Sequence, residues 1–456
     1  MINKVKDIIK VSVAAYLILL VFLAHASSSE DSSQRYSLEV NGVVKASKEA
    51  NGGKIYALTK QFKDNRYAGL FASASNYLEL NFAQSEASAR ECFSKKDDGS
   101  LEYAAIHLIC GQFISRIHFV NGEYGKWAAF NEDLMGESLT RLRQRSQKTA
   151  EIPFESLDMN YSELIDWPRL KVGPMDGFRH ATPVTWKMIS RTASFIPENT
   201  VPFIEIKIND TPTEAIFDTE ASIFIIPENM VKELDLDPMS EIPRGMSTAH
   251  KVHLQAKIVR IKSLEIAGLR FHNAMAVVSK SASVPVLGLV QIMKLHKIVL
   301  SQSQMTVFDT TDHKFQCRER MYLGGDLEGF PNLLRITTVI GGHKRHPILD
   351  TGYGNTYKKT VHTMAAHHQE AIASVDAAGT KEMVGHMERE TIGSGRSGPG
   401  IPGLVMLDEK NPASYTFGAQ MITMLGPLYL DFDTGHACFL QNEATAGIDE
   451  SRPIGG

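Results

Sequence analysis

Two short stretches share a pattern in which an aspartate follows an apolar run and precedes a threonine. They are IFDTEASIFIIP (216–227) and PILDTGYGNT (347–356). Aspartate is a residue type used for general acid–base work, and Asp218 and Asp350 stand in matched settings far apart in the chain. The match continues downstream. The pair Leu287-Gly288 follows Asp218 at almost the same interval as Phe417-Gly418 follows Asp350. Similar tails follow, GLVQIMKLHKIVLSQSQMTVF (288–308) and GAQMITMLGPLYLDFDTGHACF (418–439). Two landmarks at nearly equal spacing read as an internal duplication, with each half contributing one Asp-Thr turn.

The elements that position these turns are strands. From Val201 the chain runs through PFIEIKIND, TEAIFDT, SIFIIP, KVHLQAKIVRIKSLEIAG and FHNAMAVVS. These short runs are rich in Ile, Val, Phe and Thr, alternate, and are separated by turn residues, which predicts an all-β arrangement. Upstream, about residues 36–150, apolar residues recur at three- and four-residue steps in ASNYLELNFAQSEASARECF and LEYAAIHLICGQFISRIHFV, predicting helices. The segment GQFISRIHFVNGEYGKWAAFNEDLM is similar to a tetratricopeptide-type helix-turn-helix. Three clean repeats are not countable, so an irregular helical domain stands beside that reading. Between the two regions, residues 151–197 carry EIPFES, DWPRL, GPMDG and ATPVTW and read as a connecting segment with short strands.

The motifs IFDTEAS, VRIKSLEIAGLRFHNAMAVV and PVLGLVQIM, with the looser second copy around ILDTG, resemble retropepsin-like and pepsin-like aspartic proteases. The likeness is to exported bacterial proteins with two such lobes in one chain, and it covers roughly half the sequence. It implies a multidomain α + all-β chain. A helical N-terminal domain (27–150) and the connecting segment precede two acid-protease-like β-barrel lobes, 198–310 and 311–442, that form a pseudo-dimer. It further implies that Asp218 and Asp350 meet at the lobe interface and share one proton, because two carboxylates about 3 Å apart cannot both ionise. The ionised member activates a water, and the protonated member polarises a peptide carbonyl. Thr219 and Thr351 are expected to hydrogen-bond across the interface, with Gly352 completing the second turn. No metal or organic cofactor is needed. Flexible hairpins are expected to cover the cleft, at IPRGMSTAHK (242–251) with Gly245 at its tip and around AAGTKEMVGH (377–386) with Gly379.

Each turn departs once from the family pattern. Glu220 stands where the first turn should have glycine, and Tyr353 replaces the small residue after the second Asp-Thr-Gly. Glycine there leaves room for close approach. A glutamate adds bulk and a third carboxylate. Three acids together raise at least one pKa, which is expected to move activity toward lower pH.

The segment 1–26 has three parts: Lys4, Lys6 and Lys10, then the apolar run VSVAAYLILLVFLA (11–24), then Ala24-His25-Ala26. This is the pattern of a cleaved secretory signal peptide. The run is short for a membrane span, and an uncleaved anchor is the alternative. Export to the periplasm or beyond puts the four cysteines in an oxidising compartment. Of the three possible pairings, Cys92 with Cys110 and Cys317 with Cys438 is preferred, and four buried thiols are the alternative.

A net charge of −4 gives no reason to expect nucleic acid as a partner. Histidines 343, 346, 362, 367, 368 and 386 lack the spacing of a metal motif, so no metal is assigned. GSGRSGPGIPG (393–403) reads as a flexible surface insertion and 443–456 as a disordered tail. The leading expectation is an exported aspartic endopeptidase, monomeric because the duplication supplies both aspartates, acting on peptides or proteins. The helical domain then recruits substrate or a protein partner. The alternative is a degenerate pseudoprotease that binds extended peptides or a partner without cutting. A third reading makes the helical domain an inhibitory or folding segment removed on maturation.

Overall fold

A computed structural model describes residues 42–61, 65–134, 137–138, 140–146, 176–177, 184–192, 200–247, 253–308, 315, 317–325, 331–364, 370–376, 379–393, 400–408 and 414–440. The expected signal segment 1–26 and the tail 443–456 lie outside them. No described helix is long and apolar enough to cross a membrane.

The N-terminal region is helical. Its centre is Leu101–Val120, buried on nearly every side, as its run of Ala, Ile, Leu and Phe requires. It starts at Ser100, whose hydroxyl accepts a 2.9 Å bond from the Tyr103 N–H and so satisfies one of the free first-turn donors. It stops at Asn121, followed by Gly122 at φ +76°. Helices Asn65–Leu78, Phe82–Phe93 and Tyr124–Leu134 pack on it. Cys92 and Cys110 form a disulfide inside this cluster.

Most of the rest is strand. A thirteen-stranded sheet runs His436–Phe439, Leu428–Asp431, Lys297–Leu300, Gln304–Phe308, Val184–Thr192, Thr200–Ile208, Thr211–Phe217, Val286–Leu287, Phe224–Pro227, Leu269–Ser279, His253–Ile266, Asp237–Ser247. Asp176–Gly177 pairs with Leu269–Ser279 off that path. An eight-stranded sheet runs Met321–Gly325, Pro331–Ile336, Ile348–Leu349, Tyr415–Phe417, Tyr357–Val361, Gly400–Leu407, Gly379–Thr391, Glu370–Asp376.

The pairing around the first aspartate recurs around the second. Thr211–Phe217 lies parallel to Val286–Leu287, with Phe217 opposite Leu287. Ile348–Leu349 lies parallel to Tyr415–Phe417, with Leu349 opposite Phe417. The strand after each aspartate pairs antiparallel with that same partner, at Ile225 with Val286 and at Tyr357 with Phe417. It also pairs parallel with a longer strand, Leu269–Ser279 or Gly400–Leu407. A short helix follows each apolar–glycine pair, Leu289–Met293 and Gln420–Leu425. The next strands of the two halves, Lys297–Leu300 and Leu428–Asp431, pair antiparallel with each other, Ile298 opposite Leu430. This pair joins the halves through backbone hydrogen bonds.

Strands occur in 151–197 as expected, and two other expectations need correction. The connecting segment 151–197 contains Val184–Thr192, a nine-residue strand between Gln304–Phe308 and Thr200–Ile208. Its Val-Thr-Trp-Lys-Met-Ile alternation is obscured in the sequence by the flanking prolines, which do not interrupt it. The insertion 393–403 is in part strand, since Gly400–Leu407 pairs on both sides. Gly403 is there because a Cβ would come 2.3 Å from the Tyr357 ring. Gly245 is not a hairpin tip. Met246 pairs with Leu254 and Ser247 with His253, because a bulge after Ile242 restores the register beyond the glycine. Residues 248–252, between these two strands, lie outside the described residues. Gly379 pairs with Asp376 at the closed end of the other hairpin.

The helices dock on the outer strands of the second half. Strand Met321–Gly325 lies against helix Asn65–Leu78. Gly325 permits the contact, since a Cβ would come 3.0 Å from the Tyr77 hydroxyl oxygen, and Gly52 sits against the Tyr322 ring in the same way. Arg335 Nε donates to the Glu49 carbonyl at 2.6 Å. One hydrophobic core runs from the helices into both sheets. The helical and β signals are therefore expected to unfold in one transition. Tyr77→Ala, which empties a fully buried site at that seam, is expected to cost about 3–5 kcal/mol. Urea unfolding read by circular dichroism at helix and strand wavelengths checks both points; two separated transitions would refute the shared core.

Candidate active site

Each Asp-Thr turn is held from behind by the apolar–glycine pair of its own half. The Asp218 N–H donates to the Leu287 carbonyl at 3.1 Å, and the Asp350 N–H to the Phe417 carbonyl at 2.9 Å. Beyond the aspartates, Leu289 N–H donates to the Ala221 carbonyl at 2.7 Å and Ala419 N–H to the Tyr353 carbonyl at 2.8 Å. The glycines exist for this approach. A Cβ on Gly288 would lie 2.5 Å from the Ile223 backbone, and one on Gly418 would lie 2.2 Å from the Asn355 carbonyl oxygen. In the sequence they are visible only as spacing landmarks.

The two turns then lock to each other. Thr219 Oγ1 donates to the Leu349 carbonyl at 2.7 Å, and Thr351 Oγ1 donates to the Phe217 carbonyl at 2.7 Å. In return, Thr219 N–H donates to Thr351 Oγ1 and Thr351 N–H to Thr219 Oγ1, each at 3.1 Å. Both threonines are fully buried. The hydroxyl and N–H of each threonine thus find partners in the other half, as buried polar groups require. Asp218, Thr219 and Glu220 come together with Asp350, Thr351 and Gly352; Gly245 and Gly379 belong to the hairpins. The other cysteine pair, Cys317–Cys438, is a disulfide that ties the chain before Met321–Gly325 to the strand His436–Phe439.

Asp350 is buried and Asp218 half-buried. Asp218 Oδ1 accepts from the N–H groups of Glu220 (2.8 Å) and Ala221 (3.2 Å), and Asp350 Oδ1 accepts from Tyr353 N–H (2.9 Å). A Cβ on Gly352 would lie 2.5 Å from Asp218 Oδ2, so only glycine fits against that carboxyl. Burial, opposed by the Glu220 N–H bond and reinforced by the Glu220 charge, pushes Asp218 up to about 6. Burial, then the charge of Glu220 and a hydrogen bond to its side chain, then Asp218, push Asp350 well above the usual carboxylate range; Lys358 opposes them. The third acid raises both carboxyls, as expected, but that direction argues against a move of activity toward lower pH. A pair with raised pKa values keeps its single proton at higher pH, so the one-proton window moves up.

Tyr353 packs its ring against Gly418, its hydroxyl accepts from Asn355 Nδ2 at 3.3 Å, and the Lys358 ammonium stands 5.6 Å from the ring centroid. Burial pushes the phenol up to about 12. Tyr353 is therefore a wall beside Asp350 and stays protonated at any ordinary pH. Sequence reading missed Lys358, the cation acting on Asp350, because a lysine in a strand carries no signal of its own. Among the described residues no group of His, Cys, Asp and Glu is arranged to hold a metal.

Two outcomes are expected. Thr351→Val keeps the shape but leaves the Phe217 carbonyl and the Thr219 N–H without partners, which is expected to cost about 2–5 kcal/mol in urea unfolding. A carboxyl with a raised folded pKa favours the folded state below the unfolded value of 3.8, and that contribution is lost as pH rises through about 6. Asp218→Asn is therefore expected to be relatively more stable than the native chain at pH 8 by about 2–3 kcal/mol, compared with pH 4. Equal pH profiles of stability would show that the carboxyl is not strained.

Residues 204–294 match the family model described as gag-polyprotein putative aspartyl protease. Among solved structures, a retropepsin-like aspartic protease from Rickettsia conorii aligns at 13% identity over 29% of this chain and 92% of its own, with a TM-score of 0.21. EIAV protease aligns at 19% identity over 21% of this chain and 86% of its own, with a TM-score of 0.17. Basic 7S globulin from soybean aligns at 10% identity over 59% of this chain and 96% of its own, with a TM-score of 0.33. At TM-scores this low the overlays carry no argument of their own, and no curated protein matches the chain. The likeness to aspartyl proteases thus rests on residues 204–294.

Proposed function

We propose that this chain is an exported aspartic endopeptidase whose two halves act as the lobes of a pseudo-dimer, with Asp218 and Asp350 as its dyad. The observation that supports the reading is the reciprocal lock between Thr219 and Thr351, together with the packing of Gly352 from the second turn against the Asp218 carboxyl of the first. The family match over the first half supports the same chemistry. With one proton on the pair, the ionised carboxylate takes a proton from a water as its oxygen bonds the peptide carbon. The protonated carboxyl gives its proton to the carbonyl oxygen. When the C–N bond breaks, the amine leaves with a proton from the first carboxyl, and the second regains its own from the diol. The pair returns to its starting state without metal or cofactor.

The hairpins Asp237–Ser247/His253–Ile266 and Glu370–Asp376/Gly379–Thr391 are the proposed covers of the cleft. Export rests on the three-part N-terminal segment. The shared core supports the helical region as a permanent part of the molecule, which weighs against removal on maturation and leaves partner or substrate recruitment as its proposed role. One observation favours the non-cleaving alternative. The negative charge of Glu220 acts on Asp350, which adds a third acid beside the proposed dyad.

Cleavage of an unbiased peptide mixture by the full chain, scanned from acid to neutral pH by mass spectrometry, separates the two. Cleavage is expected, with Asp350→Asn reducing it about a thousand-fold or more. Folded native protein that cuts nothing at any pH would sink the peptidase reading in favour of peptide binding.

A further inference from the structure

The two aspartates sit in matching turns but have different neighbours. Asp218 Oδ1 accepts two backbone N–H groups, from Glu220 and Ala221, and the Gly352 N–H also hydrogen-bonds this carboxyl. Fixed N–H donors favour the ionised form. Asp350 Oδ1 accepts from Tyr353 N–H, and its carboxyl also meets the carboxyl of Glu220. Two carboxyls hydrogen-bond only when one of them carries a proton.

The turn geometry explains why Glu220 reaches Asp350. Gly352 follows Thr351, and a Cβ there would point into Asp218 at 2.5 Å from Oδ2. Glu220 follows Thr219, the equivalent place in the other turn, so its side chain leaves the backbone on the side of Asp350. A glycine in the first turn would have left no side chain there to act on Asp350. Glutamate adds to the inequality already set by burial, the turn N–H groups and Lys358. Around Asp350 stand Glu220 and Asp218, both acidic, with Lys358 as the opposing cation; Asp218 is faced by Glu220.

We propose that Glu220 is a positioning residue that fixes the dyad's proton on Asp350 through a carboxyl–carboxylate hydrogen bond, leaving Asp218 as the base that activates water. This rests on the peptidase reading of the site. Asp218 takes a proton from water as the C–O bond forms, and Asp350 protonates the carbonyl oxygen. Asp218 then gives its proton to the departing nitrogen, and a diol hydroxyl returns one to Asp350. Glu220 gains and loses nothing over the cycle. Its negative charge keeps Asp350 protonated at a pH where an ordinary pair has lost its last proton, so cleavage persists toward neutral pH.

The test is the pH profile of kcat/KM for the native chain and for Glu220→Gln, with Glu220→Asp as the conservative variant. Removing the charge is expected to move the whole profile toward acid by about one pH unit or more, with Glu220→Asp lying between. A Glu220→Gln profile that superimposes on the native one overturns the proposal. A second measurement does not depend on turnover. The carboxyl carbon of Asp350, followed by ¹³C NMR and assigned by its loss in Asp350→Asn, is expected to titrate at lower pH in Glu220→Gln. An unchanged midpoint overturns the proposal even if peptides are cut. A lowered midpoint in a protein that cuts nothing upholds the Glu220–Asp350 bond. It would remove the base role of Asp218 together with the peptidase reading.

Discussion

The reciprocal bonds between Thr219 and Thr351 are the constraint on which the arrangement rests. Each hydroxyl donates to the carbonyl before the opposite aspartate and accepts the opposite threonine's N–H. In a site closed to water, a missing partner costs more than a made bond returns. The two turns therefore have one favourable relative position, and the aspartates inherit it. The antiparallel pairing of Lys297–Leu300 with Leu428–Asp431 repeats the same linkage in backbone form. Gly288 and Gly418 let each turn seat on its own half closely enough for the threonines to meet.

Against that symmetric frame, the residue after each threonine breaks the symmetry. Gly352 lies flat against the Asp218 carboxyl, whereas Glu220 sends a carboxyl toward Asp350. Burial raises both aspartates, and the added negative charge raises them further. On the proposed reading, a substitution that looks like decay of the motif instead sets which aspartate holds the proton and at what pH the pair remains singly protonated.

The helical region completes the second half physically. The outer strands Met321–Gly325 and Pro331–Ile336 meet helices through Gly325, Tyr322 and Arg335, and the apolar core is continuous across the seam. The helices bury apolar strand surface that would otherwise invite pairing with other chains.

Much of this was legible in the sequence because it is local or periodic. The two Asp-Thr turns and the apolar–glycine pairs downstream of each follow from repetition along the chain. Three- and four-residue apolar steps marked the helices, and alternation marked most strands. What escaped depends on partners distant in sequence. Short strands were expected in 151–197, but the place of Val184–Thr192 in the sheet is set by Gln304–Phe308 and Thr200–Ile208, which flank it. Gly400–Leu407 is strand because Tyr357–Val361 and Gly379–Thr391 pair with it. Gly245 is interior to a strand because a bulge shifts the register beyond it. The sequence by itself determined that two aspartates exist in duplicated settings and that Glu220 departs from the pattern. Only the tertiary structure decided that Glu220 faces Asp350 and that the carboxyls are unequally solvated. A side chain's direction and its charge neighbours are set by the turn from the other half, which is distant along the chain and adjacent only in the fold.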